Sequence, residues 1–375
     1  MVRLRIAIAG TRGIPARYGG FETFAEELSA RLVERGHEVW VYCRPGNADV
    51  SSAVLGRAGC PRSQAHRIVL PALRHKYFET VSHTLLSSLD ALRRGFDVVL
   101  LCNAANAFVL PLLRAARIPV AINVDGIERH RRKWNVAGKF VYAIGESFSA
   151  LFANKVVADA DVIADYYRSR YGIEPVTIPY GAEFPAEEES DVLERLGVEA
   201  GNYILYVSRF EPENNPLEVV EAYEKLPNTP KLIMLGAASY ARDLDTALQR
   251  HASDRILFPG ALYGRDYRTL QRNALIYIQA TEVGGTHPAM IEAMASGGCV
   301  LANDTPENRE VGGDAVGYFR LRPSETLSGT LREFLESPAL RERMRIAARA
   351  RAGERYSWSA VTDAYERLFG QIASR

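Results

Sequence analysis

The 375-residue sequence is poor in cysteine, in long apolar runs and in charge of one sign. Cys43, Cys60, Cys102 and Cys299 are scattered with no C-x-x-C spacing, which excludes a disulfide framework and a zinc site of ordinary ligand spacing and predicts a reducing, cytoplasmic setting. No stretch approaches the roughly 18 apolar residues of a membrane span, and MVRLRIAIAG is too short an apolar run for a signal peptide. The expectation is a soluble chain that touches a membrane at most from its surface. Lys plus Arg number 46 against 45 Asp plus Glu, a net charge of +1, so nothing in the balance points to nucleic acid as a partner. What the chain does have is bulk. At 47% hydrophobic and 24% charged residues, it can fill about two or three domain cores.

The chain alternates between two periodicities. Residues 4–9, 37–42, 97–102, 120–124 and 155–158 read as strands, with helices over 21–35, 79–94, 107–116 and 161–171 between or after them. A charged segment, AEEESDVLERLG, reads as a linker. The pattern then restarts, with strands at 203–208, 231–235, 255–258, 274–279 and 299–302, a helix at 217–225, and terminal helices at 341–351 and 358–369. Such alternation gives α/β halves with parallel sheets. The predicted division is 1–182 together with 358–375, followed by 183–357.

Four stretches carry candidate chemistry. Residues 277–298, YIQATEVGGTHPAMIEAMASGG, run from a strand end through Gly284, Gly285 and Thr286 to a helix opened by His287 and Pro288, with Glu292 about a turn in. Glycines allow close backbone approach and free amides at a helix start attract phosphate, so a diphosphate suits this place. Gly19 and Gly20, with Arg12 and Arg17 nearby, form a second glycine-led helix start after the first strand, where α/β folds bind ligands. A tight turn is the default for a lone glycine pair, but the place of this one after the first strand favours the phosphate role. Glu22 beside it favours the helix start as an anion or orients an acceptor hydroxyl. The third stretch is VSRFEPENN, where Arg209 can hold phosphate in bidentate fashion or make a surface ion pair. The fourth is NVDGIERHRRKW, where Asp125 follows a strand and serves as a turn former or as a substrate contact. Arg129, Arg131, Arg132, Lys133 and Trp134 follow it. They are either a solvated helix face or a contact for an anionic membrane or the pyrophosphate of a lipid-linked acceptor, aided by Arg74, His75, Lys76 and Tyr77.

The run around Glu292 resembles the signature of family 4 glycosyltransferases of the GT-B fold, with VGGTHPAMIEAMA and TRGIPARYGGFE most similar to the bacterial rhamnosyltransferase branch of surface-polysaccharide assembly. The resemblance implies two Rossmann-like domains facing a central cleft, the first for the acceptor and the second for the nucleotide sugar, with the last helix crossing back to the first. It implies that Glu292 binds the ribose as the second member of an E-x7-E pair whose first member is replaced by Gly284. Arg209 matches a phosphate-neutralising arginine, while Asn214 stands where relatives carry a lysine, leaving room for Arg12, Arg17 or Arg309 to contribute charge. Asp125 stands where relatives often have histidine near the donor sugar, and Leu262 lies where relatives hold the base through backbone groups.

The implied activity is retaining transfer of a sugar, with dTDP-L-rhamnose the expected donor, to a carbohydrate or lipid-linked acceptor. No cofactor is expected beyond the nucleotide sugar, which is substrate. The D-x-D spellings at Asp159 to Asp161 and Asp243 to Asp245 read as surface acids, so no metal requirement is expected. A nucleotide-sugar epimerase or hydrolase, and a non-catalytic sugar-nucleotide binder, remain as rivals.

Overall fold

The protein is described by a computed structural model covering residues 2–16, 19–46, 65–73, 78–132, 134–183, 190–238, 242–322 and 325–374. It divides into two compact units. The first comprises Met1–Arg129, Trp134–Gly181 and Trp358–Arg375, and the second His130–Lys133 and Ala182–Ser357.

In the first unit the order is β1 (Arg5–Ala9), α1 (Gly20–Glu34), β2 (Glu38–Cys43), β3 (His66–Val69), α2 (Phe78–Arg94), β4 (Val98–Cys102), a 3-10 turn (Ala104–Val109) running into α3 (Leu110–Ala115), β5 (Val120–Asn123), α4 (Val136–Phe152), β6 (Lys155–Ala158), α5 (Asp161–Tyr171) and β7 (Val176–Thr177). The seven strands are parallel in the order β3-β2-β1-β4-β5-β6-β7. Every residue of β4, VVLLC, is buried. That is why its sequence shows no alternation: helices cover both faces of a parallel sheet.

The second unit repeats the plan with α6 (Val192–Leu196), β8 (Tyr203–Val207), α7 (Pro216–Glu224), β9 (Lys231–Leu235), α8 (Arg242–Gln249), β10 (Ile256–Gly260), α9 (Gly264–Asn273), β11 (Ile276–Gln279), α10 (Pro288–Ala295), β12 (Val300–Asn303), α11 (Pro306–Gly312), β13 (Gly317–Phe319), α12 (Glu325–Glu336) and α13 (Pro338–Arg355). Its six strands are parallel in the order β10-β9-β8-β11-β12-β13. The final helix, α14 (Trp358–Ala373), belongs to the first unit.

Two sequence expectations are corrected, and one helix was not anticipated. The helix expected over 107–116 is a 3-10 turn followed by α3, because Pro111 sits in the first turn of α3 and has no amide to continue a helix from upstream. The charged stretch read as a linker contains α6, which ends at Gly197 with φ 58. The segment 136–152 forms α4, started by Asn135, whose side chain accepts the Gly138 N–H at 2.9 Å.

The attachment of α14 is specific. Trp358 lies against Gly181, where a Cβ would come within 2.4 Å of the indole. Phe24 of α1 packs on Tyr180 and Tyr365, each with centroids 5.4 Å away. Glu366, nearly buried, receives His37 Nε2–H at 2.9 Å and Arg35 at 2.7 Å, and His37 Nδ1 accepts the Leu4 N–H at 3.2 Å. Burial raises the Glu366 pKa, but the His37 and Arg35 hydrogen bonds outweigh it and leave the carboxyl below its ordinary value. A depressed native pKa contributes stability above the unfolded carboxylate value, and that stability is lost as pH falls through the native one. Glu366→Gln should therefore lower stability by about 2 kcal/mol at neutral pH. In denaturant titrations, the gap between this variant and the parent should narrow in acid.

Candidate functional site

In the first unit, β1 delivers the chain into a loop that crosses β4. Gly10 has φ +90, and a Cβ there would meet the Cys102 carbonyl at 2.4 Å, so only glycine allows the crossing. Glu22 in the first turn of α1 accepts the Arg12 N–H at 2.9 Å, and Glu26 accepts the Ala16 N–H at 3.2 Å. The two carboxylates hold the loop that follows β1. Glu22 is buried; desolvation raises its pKa against the pull of the Arg12 amide and the nearby Arg12 and Arg44 charges. Its geometry fits the holding of this loop better than the orientation of an acceptor hydroxyl.

Gly19 caps α1 with extended backbone, φ −172, and a Cβ there would meet only Glu22 Oε2, at 3.5 Å. Neither backbone nor packing demands glycine at this position. Its effect is to leave the exposed start of the helix at Gly20 unscreened by a side chain. Arg17 lies outside the described residues, as do Lys133 and residues 74–77.

Asp125 follows β5 in the left-handed region, φ 57. Its N–H donates to Asn123 Oδ1 at 2.9 Å, Asn123 Nδ2 donates to the Tyr365 hydroxyl at 2.9 Å, and the Tyr180 hydroxyl donates to Asp125 Oδ1 at 3.0 Å. The last helix thus sets the position of this turn. Burial raises the Cys102 thiol pKa first, and the Glu22 and Asp125 charges raise it further, so both carboxylates act at the end of β4. Asp159, expected at the surface, is buried and adds its charge to Tyr180 and Tyr365. Asp161 is in the first turn of α5, and Asp243 and Asp245 are in that of α8. Among the described residues no group of three or more His, Cys, Asp or Glu is placed to hold a metal ion.

The basic cluster is not one solvated helix face. Arg129 lies over the Tyr166 ring and 3.4 Å from buried Glu146, and Trp134 Nε1 donates to Glu128 Oε2 at 3.4 Å. Residues His130–Lys133 group with the second unit, where Arg131 is buried 3.7 Å from Glu211 and 3.6 Å from Glu213, and Arg132 pairs with Glu282. Arg131 is buried and Arg129 half-buried, each beside a carboxylate, while Arg132 is the exposed member of the cluster.

In the second unit, the turn after β8 is braced from within. Asn214, expected as a donor contact, is buried and donates its side-chain N–H to the Arg209 carbonyl at 2.7 Å, while the Tyr206 hydroxyl donates to the Asn214 carbonyl at 2.8 Å. One of its amide N–H groups thus braces the turn that carries Arg209. Arg209 remains exposed, 3.6 Å from Glu211. Glu213 beside it was not singled out by any motif. It is fully buried, neither carboxylate oxygen has a hydrogen-bond partner, and its carbonyl accepts the Glu282 N–H at 2.9 Å.

The β11–α10 passage explains the departure at Gly284. A Cβ on Gly284 would meet His287 Cε1 at 2.4 Å, so a glutamate cannot stand there while the imidazole holds that space. His287 is the N-cap of α10 but makes no side-chain capping bond. Burial first, then the Arg131 charge, lower its pKa to about 4, so the ring is neutral at neutral pH. Gly285 and Thr286 are buried between β11 and α10. Glu292 is fixed by Tyr267 of α9, whose hydroxyl donates to Oε2 at 2.5 Å. Sequence reading missed Tyr267, since a tyrosine inside a charged helix gives no signal. Leu262 is half-buried between β10 and α9.

Arg131 is the cation facing both Glu211 and Glu213. Arg131→Ala should therefore destabilise the second unit by about 3 kcal/mol, the cost of leaving buried charge uncompensated. Arg131→Met with Glu213→Leu should recover part of that loss, as read by urea unfolding.

Glycosyltransferase Family 4 matches residues 18–183 and Glycosyl transferases group 1 matches residues 192–351. A phosphatidyl-myo-inositol mannosyltransferase of Mycobacterium leprae is 26% identical over 231 residues, 58% of this chain and 59% of that protein's length. Among solved structures, a sucrose-phosphate synthase from Thermosynechococcus elongatus superposes with TM-score 0.82 at 18% identity, covering 99% of this chain and all of its own. The Anabaena protein Alr3699/HepE in complex with UDP-glucose superposes with TM-score 0.76 at 14% identity, covering 98% of this chain and 99% of its own. With a family 4 domain followed by a group 1 domain on two parallel-sheet units, the chain belongs to the GT-B glycosyltransferases.

Proposed function

We propose that the chain moves a sugar from a nucleoside diphosphate donor to a hydroxyl acceptor, the second unit holding the donor and the first the acceptor. The observation that carries this reading is Glu292, fixed by Tyr267 just inside a helix opened by Gly284, Gly285 and Thr286. A carboxylate held in place can accept both hydroxyls of a ribose, and backbone amides before a helix suit a diphosphate. A nucleotide-sugar donor is further supported by the UDP-glucose complex of the similar Anabaena protein.

Transfer would break the bond from the anomeric carbon to the diphosphate oxygen and form one to the acceptor oxygen on the same face. The hydroxyl proton would pass to the departing phosphate oxygen. The protein's part is to stabilise that leaving group with the exposed Arg209 and the amides near α10, and to orient the acceptor near Asp125. Asn214 supplies no second cation.

The donor we favour is dTDP-L-rhamnose. The corner formed by Gly284 and the neutral His287 lacks the carboxylate that relatives place there, and a 6-deoxy sugar has one hydroxyl fewer to satisfy. The acceptor proposed is a lipid-linked or oligosaccharide hydroxyl in cell-surface polysaccharide synthesis at the cytoplasmic side of a membrane. The mannosyltransferase relative supports a mannosyl donor as the second reading. Product mass with a panel of donors separates them: turnover with dTDP-rhamnose is expected, and turnover with mannosyl donors alone would overturn the choice. Nucleotide release should require acceptor, whereas an epimerase or hydrolase would act without it. Glu292→Ala should weaken nucleotide binding by about tenfold, the loss of a charged hydrogen bond to the ribose. Calorimetry showing unchanged affinity would remove Glu292 from the site.

A further inference from the structure

Two helices of the first unit face the wrong way for a protein surrounded only by water. In α2, His83, Thr84, Ser87 and Ser88 are buried, while Phe78, Val81, Leu85, Leu86 and Leu89 are exposed. In α4, the buried positions are Gly145, Glu146 and Ser149, while Val136, Phe140 and Leu151 are 85%, 66% and 68% exposed, with Val141 and Ile144 beside them. The outward residues recur at helical spacing, so each helix presents a continuous apolar stripe.

The rotation of each helix is fixed by what it does inside. His83 Nε2 donates to the Cys43 carbonyl at 3.1 Å, and Thr84 Oγ1 donates to Asn106 Oδ1 at 2.7 Å. On α4, Gly145 lies so close to the 3-10 turn that a Cβ would be 2.3 Å from the Ala104 carbonyl, and Glu146 accepts the Tyr166 and Tyr171 hydroxyls at 2.7 and 3.0 Å. Neither helix can turn its apolar side inward without breaking these bonds.

Both stripes lie on one side of the sheet. The β3–α2–β4 and β5–α4–β6 crossovers advance in the same direction along the strand order, and right-handed connections then place α2 and α4 on the same face. Both pack on the 3-10 turn between them. Exposed cations lie on these helices and on α3, which packs on both: Arg93 at the end of α2, Arg114 and Arg117 around the end of α3, and Lys139 on α4. The nearby acids are engaged, Glu79 with Arg44, Asp90 with Arg94 and Glu146 with Arg129. Among the described residues no acid pairs with Arg93, Arg117 or Lys139.

We propose that the α2–α4 face docks on an anionic lipid surface, its apolar stripes entering the headgroup boundary and its cations meeting lipid phosphates. The charge selects the occupant. A second copy presenting the same face would bring cations to cations, whereas an anionic bilayer complements both features. Docking needs no donor or acceptor, so it stands independently of the transfer reaction proposed above.

The test is co-sedimentation of the full chain with vesicles of phosphatidylcholine alone or with phosphatidylglycerol added. The expected result is binding to the anionic vesicles that weakens with salt. It should fall at least tenfold in Leu85→Ser with Phe140→Ser and also in Arg117→Glu with Lys139→Glu, variants at exposed positions whose folding is checked by circular dichroism. Absence of vesicle binding, or binding that these variants leave unchanged, would overturn the proposal. So would light scattering that finds a dimer dissociated by the Leu85 and Phe140 substitutions.

Discussion

Parallel strand pairing is the constraint from which the rest follows. Each strand must be re-entered through a crossover, so every strand leaves its sheet at the same edge and every turn that follows it opens there. The loop after β1 held by Glu22, the Asp125 turn after β5, the Arg209 turn after β8 and the Gly284 passage after β11 are all products of that rule. Few of the residues that fill them were selected by local propensity alone. Asp125 accepts a left-handed backbone and Glu22 is buried beside a loop, and both conditions have a cost that surrounding hydrogen bonds offset.

Two departures from the usual family residues have structural companions. Where a lysine is expected, Asn214 turns inward and braces the carbonyl of the arginine that remains. Where a glutamate is expected, Gly284 yields its space to the His287 ring, which burial first and the Arg131 charge second keep neutral. A lysine or glutamate restored singly would meet a site already rebuilt around its absence. These positions are coupled to their neighbours and are poorly treated as isolated losses.

The fold was legible because apolar runs and glycine punctuation report a parallel sheet directly, and the helix after Gly285 follows from Pro288 and the Ala289–Met290 stripe. Side-chain direction was not legible. Arg129 and Arg131 look like surface charge in the string RHRRK, yet their partners Glu146, Glu211 and Glu213 lie from about 15 to more than 80 residues away. Tyr267 and Glu213 escaped notice for the same reason, since their roles come from contacts between elements. Helix α4 was missed because most of its exposed positions are apolar while its fully buried ones, Gly145, Glu146 and Ser149, are small or polar, the reverse of the pattern that amphipathic reading seeks.

The return of α14 makes the first unit discontinuous in the chain. On a ribosome, all of the second unit's sequence emerges before the residues that complete the first. Until Tyr365 and Glu366 arrive, Asn123 lacks the hydroxyl that steadies the Asp125 turn, and Arg35 and His37 lack their carboxylate. Synthesis of the first unit is therefore finished from its far end, and a nascent chain stopped at Ser357 would hold a complete second unit beside an unfinished partner.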